Sequence, residues 1–164
     1  MHKLYALSVS ALIAALAPAA FAADVCSLLS QNDAAAVLGQ PVVQVTPAGP
    51  QRDEGSGGLL SYCTYRGASS EVVVSVVEFT SEIEARKQVT SNSVQELMDA
   101  DATQVSRERG PGEKSYYGYS GKGSMFLFLK KNKVVGVGTA GAQQSRSVTK
   151  EALRSIAQLV AYKA

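Results

Sequence analysis

The first 22 residues constrain the chain most, because they set the redox compartment in which the remainder folds. Met1-His2-Lys3 is a short basic start and Leu4 to Ala17 is an apolar stretch rich in Ala and Leu. Pro18 then leads to Ala20-Phe21-Ala22, an A-x-A site with cleavage expected before Ala23. This is the pattern of a secretory signal peptide, too short and wrongly flanked for a spanning helix. The expected organisation is a cleavable signal at 1–22 and a single α+β domain over 23–164, periplasmic or secreted. The two cysteines, Cys26 and Cys63, then meet an oxidising environment and read as a structural disulfide. A redox-active pair fits less well, since catalytic thiols usually lie close together in sequence, as in C-x-x-C.

Composition narrows the chemistry. Cleavage leaves 142 of the 164 residues, enough for one domain with a sizeable core. The only histidine, His2, leaves with the signal. Histidine-based acid–base catalysis, Ser–His or Cys–His nucleophiles and His-ligated zinc are therefore excluded. Fifteen basic residues face fourteen acidic ones once Lys3 is gone, with no basic stripe, so nucleic acid is not an expected partner. No later apolar run approaches the roughly 18 residues that a transmembrane segment needs.

Local patterning predicts the elements. Asp24 to Leu38 reads as helical, with Ser30 or Asn32 able to cap a short turn over Asp33 to Leu38 and Gly39 placed for a left-handed C-cap before Pro41. Val42 to Thr46 reads as a strand, and Pro47 to Gly58, with its prolines and glycines, as an exposed mobile loop. Leu59 to Arg66 is a strand carrying Cys63, Gly67 to Ser70 a turn, and Val72 to Phe79 a strand apolar on both faces, hence central. A second helix is expected from Thr80 or Ser81 to about Ala100, with Ile83, Val94, Leu97 and Met98 facing inward. Strands at Thr103 to Glu108 and Ser115 to Tyr119 flank the loop Gly110-Pro111-Gly112. Met125 to Leu129 and Val134 to Thr139 form a hairpin with Asn132 in its turn. Ser147 to Tyr162 closes the chain as an amphipathic helix. The predicted fold class is α+β: an antiparallel sheet packed with helices, in the order helix–strands–helix–strands–helix, with one disulfide.

Some segments resemble a known family. Cys26-Ser27-Leu28-Leu29, followed by Asp33-Ala34-Ala35-Ala36-Val37-Leu38-Gly39-Gln40-Pro41-Val42, is similar to the opening of a family of bacterial exported lipoproteins classed as a domain of unknown function. Cys63-Thr64-Tyr65 and Gly110-Pro111-Gly112-Glu113 match further short motifs of that family. The resemblance implies a disulfide-tied domain related to PsbP-like folds, and it supplies no catalytic residues. The chain departs from the family in lacking a lipobox, since Ala23-Asp24-Val25 precedes Cys26.

The remaining motifs are weak. Asp53-Glu54 and Asp99/Asp101 are nominal carboxylate pairs whose plain reading is solvated charge. Gly118 to Ser124 is not a phosphate loop: a Walker pattern needs glycine where Tyr116 stands and Ser or Thr where Gly123 stands. Tyr116, Tyr117 and Tyr119 beside a Gly-rich loop are the candidate recognition residues, with Tyr117 and Tyr119 on one face and Tyr116 opposite. The alternative is that these rings seal the core edge. Arg52, on the other Gly-rich loop, is the fourth candidate. No catalytic residue, metal ligand or cofactor is expected. The leading reading is an exported non-catalytic binding or interaction module for an unknown protein or small-molecule ligand of the cell envelope. The alternative is an inhibitor or protective protein acting on a periplasmic or extracellular enzyme through the loop Gly49 to Gly58.

Overall fold

The computed structural model describes residues 24–98, 104–141 and 148–164. The expected signal peptide and its cleavage site, Asp99 and Asp101, the start of the strand at Thr103 and the start of the last helix at Ser147 lie outside these residues.

Seven strands form one sheet: β1 (Gln44–Arg52), β2 (Leu59–Arg66), β3 (Glu71–Glu78), β4 (Gln104–Glu108), β5 (Lys114–Ser120), β6 (Gly123–Lys130) and β7 (Lys133–Ala140). Their order is β1-β2-β3-β7-β6-β5-β4 and every neighbouring pair is antiparallel. Two meanders, β1–β3 and β4–β7, meet where β3 pairs with β7, Val74 opposite Val137. The helices are α1 (Gln31–Leu38), α2 (Glu82–Gln88), α3 (Ser91–Met98) and α4 (Lys150–Lys163).

The α+β order expected from the sequence is overturned by this arrangement. A single seven-stranded antiparallel sheet organises the whole chain, and two helices occupy the middle position where one was expected. The break falls at Val89, in extended conformation and fully buried. Thr90 then starts α3 by accepting a hydrogen bond from the Ser93 N–H at 3.0 Å. A hydroxyl that satisfies one of the orphan donors of a first turn defines a new helix start rather than a helix interior. Of the expected inward residues, Val94 is buried, whereas Ile83 and Leu97 are 69% and 65% exposed. The first helix is also shorter: residues 24–27 make a separate turn, and α1 begins after Ser30, whose Oγ accepts from the Asp33 N–H at 3.1 Å. Gly39 closes α1 at φ 64°.

The expected loop from Pro47 to Gly58 is corrected too. Its first part continues β1 to Arg52, with a register irregularity between Ala48 and Gln51. Proline is tolerated here because β1 is an edge strand, where one side needs no donor. The remainder forms the tight turn from Asp53 to Gly58, held by backbone bonds between these two residues and between Gly57 and Asp53.

Alternation along the strands separates two cores. On the first face, Cys63, Tyr65, Val74, Phe126, Phe128 and Val137 pack under α1, α4 and the segment 25–29. That segment is anchored twice. Cys26 is disulfide-bonded to Cys63, and the Tyr65 hydroxyl lies 2.8 Å from the Cys26 carbonyl oxygen and 2.6 Å from that of Leu29. On the second face, Leu127, Leu129 and Val134 pack against Ala85, Val89 and Val94 of the α2–α3 region.

Candidate functional site

Helices cover the second face unevenly. α2 packs against β7 and α3 lies over β4, β5 and β6; among the described residues neither packs extensively over β1 to β3 on that side. At the boundary, the floor is built of small residues. Ser75 on β3 stands opposite Gly136 on β7, and Gly138 follows two positions later on the same face. A Cβ at Gly136 would come within 2.5 Å of the Ser75 Oγ, so the missing side chain is what leaves the space open.

The result is a groove along β3 and β7. A hollow of about 380 Å³ is walled by Leu60, Val77, Phe79 and Leu127, with Gln88, Ser93 and Glu96 on its helical rim. A second, of about 240 Å³, continues over Val73, Gly138 and Met125 towards the β5–β6 turn. Leu97 of α3 lines both. The two Gly-rich turns singled out in the sequence thus border opposite ends of the groove, Asp53 to Ser56 at one and Lys122-Gly123 at the other. Asp53 shapes its turn, since its Oδ2 accepts from the Ser56 N–H at 3.1 Å and from the Ser56 hydroxyl.

The four sequence candidates are not brought together. Tyr117 faces the first core, with its ring 5.0 Å from that of Phe126 and the Lys150 Nζ 4.9 Å from its centroid. Burial pushes its phenol above the ordinary tyrosine value. Tyr119 shares that face further along and is 36% exposed. Tyr116 points the other way and packs against the second core beside Leu127 and Leu129. Arg52 ends the edge strand β1, five strands from β5, or about 24 Å at normal strand spacing. It lines a shallow cleft with Glu78, Glu84 and Lys87 instead.

Next to Tyr117 lies an ionic cluster that the sequence did not announce. Glu108 at the end of β4 is 10% exposed and receives Lys150 Nζ at 2.5 Å and an Arg154 guanidinium nitrogen at 2.6 Å, both from α4. The Ser106 hydroxyl donates to the same carboxylate at 2.6 Å. Burial alone would raise the Glu108 carboxyl. The hydrogen bonds from Lys150, Ser106 and Arg154, with the Lys150 charge, outweigh it and hold the group below the usual glutamate value. This cluster fastens α4 to the far edge of the sheet.

Ser75, Gly136, Gly138 and Leu97 are the groove residues that sequence reasoning missed. The available signal was Val134-Val135-Gly136-Val137-Gly138, in which every second residue after Val134 on one face is glycine. Among the described residues, no three His, Cys, Asp or Glu side chains gather as a metal site, and no helix is long and apolar enough to cross a membrane.

No protein-family model and no curated protein matches the chain. Among solved structures, the chain is similar to the extracellular domain of PknH from Mycobacterium tuberculosis, with a TM-score of 0.55 at 16% identity. The match covers 87% of this chain and 95% of that one. Likeness at that identity establishes a shared fold; in this chain the fold carries a Cys26–Cys63 disulfide.

Proposed function

We propose that the protein is an exported, non-catalytic binding module, working in the periplasm or outside the cell, that holds a small ligand with an apolar body in the groove along β3 and β7. The observation that carries this reading is the open second face, where glycines and a serine replace the large residues that fill the rest of both cores. Pockets that are concave, mostly apolar and edged by a few polar groups are the usual form of small-ligand sites. The disulfide and the signal-like start fit an oxidising compartment, and the similarity to the extracellular domain of PknH agrees with that placement.

Nile red, a neutral dye whose emission brightens and shifts to the blue in apolar surroundings, tests the reading. It should bind the oxidised protein, and the Ser75→Leu variant should abolish binding by filling the floor while melting at the wild-type temperature or above. A folded Ser75→Leu protein that binds the dye unchanged would remove the groove from consideration.

A further inference from the structure

The charges around the larger hollow select among apolar ligands; Lys122 stands on the other hollow, at the far end of the groove. The larger hollow carries two carboxylates, Asp53 on the β1–β2 turn and Glu96 on α3, and no lysine or arginine among its lining residues. Glu96 is solvent-exposed, and no ion pair engages it among the described residues. Asp53 accepts from Ser56 through one carboxylate oxygen and lines the hollow. On the same lining, Gln88 and Ser93 contribute an amide and a hydroxyl that can accept hydrogen bonds. Below this polar rim the walls are Leu60, Val77, Phe79 and Leu127, which offer nothing to a second charge.

Resting on the groove reading above, we infer that the ligand is a cationic amphiphile: an amine of modest size whose apolar body lies on the floor and whose ammonium sits at the Asp53–Glu96 rim. An ammonium at this rim is drawn to two carboxylates and repelled by no cation among the hollow's lining residues. A carboxylate or phosphate of the same size meets repulsion from the same pair. A neutral alcohol keeps the apolar contacts and gains no charge pairing.

Three probes of equal chain length separate these cases: octylamine, octanol and octanoate, each titrated by calorimetry into the oxidised protein at neutral pH. Octylamine should bind best and octanoate least. Glu96→Gln, at an exposed position that leaves the fold untouched, should weaken octylamine about fivefold and leave octanol unchanged. Equal binding of all three probes would overturn the charge assignment while leaving the groove standing. Binding of none, or binding that survives Ser75→Leu, would overturn the groove itself and this inference with it.

Discussion

Glu108 shows how much a single side chain decides here. Its carboxylate collects Lys150, Arg154 and Ser106 at the edge of the sheet, and its proton affinity is lowered in the folded state. A carboxyl that is more acidic folded than unfolded adds stability above its unfolded value, and that part is lost as the pH falls through the folded one. The protein should therefore lose stability as the pH drops below about 4.5, the ordinary glutamate value. In Glu108→Gln, denaturant titrations should show about 1–2 kcal/mol less stability at neutral pH and a flatter acid dependence. Identical acid slopes in both proteins would remove Glu108 from that role. Tyr117 and Tyr119 separate in the same way. Tyr117→Ala should cost about 2 kcal/mol, because its ring is wedged between Phe126 and Lys150. Tyr119→Ala, at a more exposed position, should cost under about 0.5 kcal/mol. The sequence pattern places the two rings on one face through the period of two. It does not reveal that Lys150, over thirty residues later, settles on one of them.

At the scale of elements, local patterning was sufficient for β3, β6 and β7, whose apolar runs read as strands, β6 sending Phe126 and Phe128 to one core and Leu127 and Leu129 to the other. It failed where two local signals competed. Pro47 and Pro50 suggest a loop, yet an edge strand needs donors on one side only, and nothing local states that β1 lies at an edge. The periodicity of Ile83, Val94, Leu97 and Met98 suggests one helix. The run Val89-Thr90-Ser91-Asn92-Ser93 instead combines β-branched and capping residues, and that competing signal prevails. Thr90 therefore matters in two ways: it starts α3, and α3 carries the wall of the groove. Thr90→Ala should lower stability by about 1 kcal/mol through loss of the cap. It should also weaken ligand binding more than Ser91→Ala, since the first turn of α3 loosens beside Ser93. Thermal unfolding and dye titration on the same two variants check both parts. Equal behaviour of the two would mean that tertiary packing of Val94, not the cap, sets where α3 begins.

The whole molecule is asymmetric: α1, α4 and the segment 25–29 pack on its first face, with a hollow of about 280 Å³ left beside Asp24 to Leu28, while among the described residues the second is only half covered. A sequence read in windows cannot show this, because coverage depends on where α2 and α3 come to rest after crossing to the far edge of the sheet. Closure of the first face depends on two anchors that act on one segment from adjacent same-face positions of β2. Cys63 holds Cys26 covalently, and Tyr65 supplies a hydroxyl to the carbonyls of Cys26 and Leu29. Burial lifts the Tyr65 phenol to about 12, so it remains a neutral donor throughout the working range. Tyr65→Phe alone should cost about 1–3 kcal/mol by leaving buried carbonyls unpaired. The C26A/C63A double variant should cost about 4 kcal/mol or less in the chain-entropy description, for a separation of 37 residues. The combined variant should cost less than the sum. Once the segment detaches, its carbonyls are hydrated and the second anchor has nothing left to hold, so the loss is capped at what docking contributes. Urea unfolding of the four proteins measures this coupling, expected at about 1 kcal/mol. Strict additivity would show that the two anchors act independently, with Val25 and Leu29 keeping the segment seated when either one is lost.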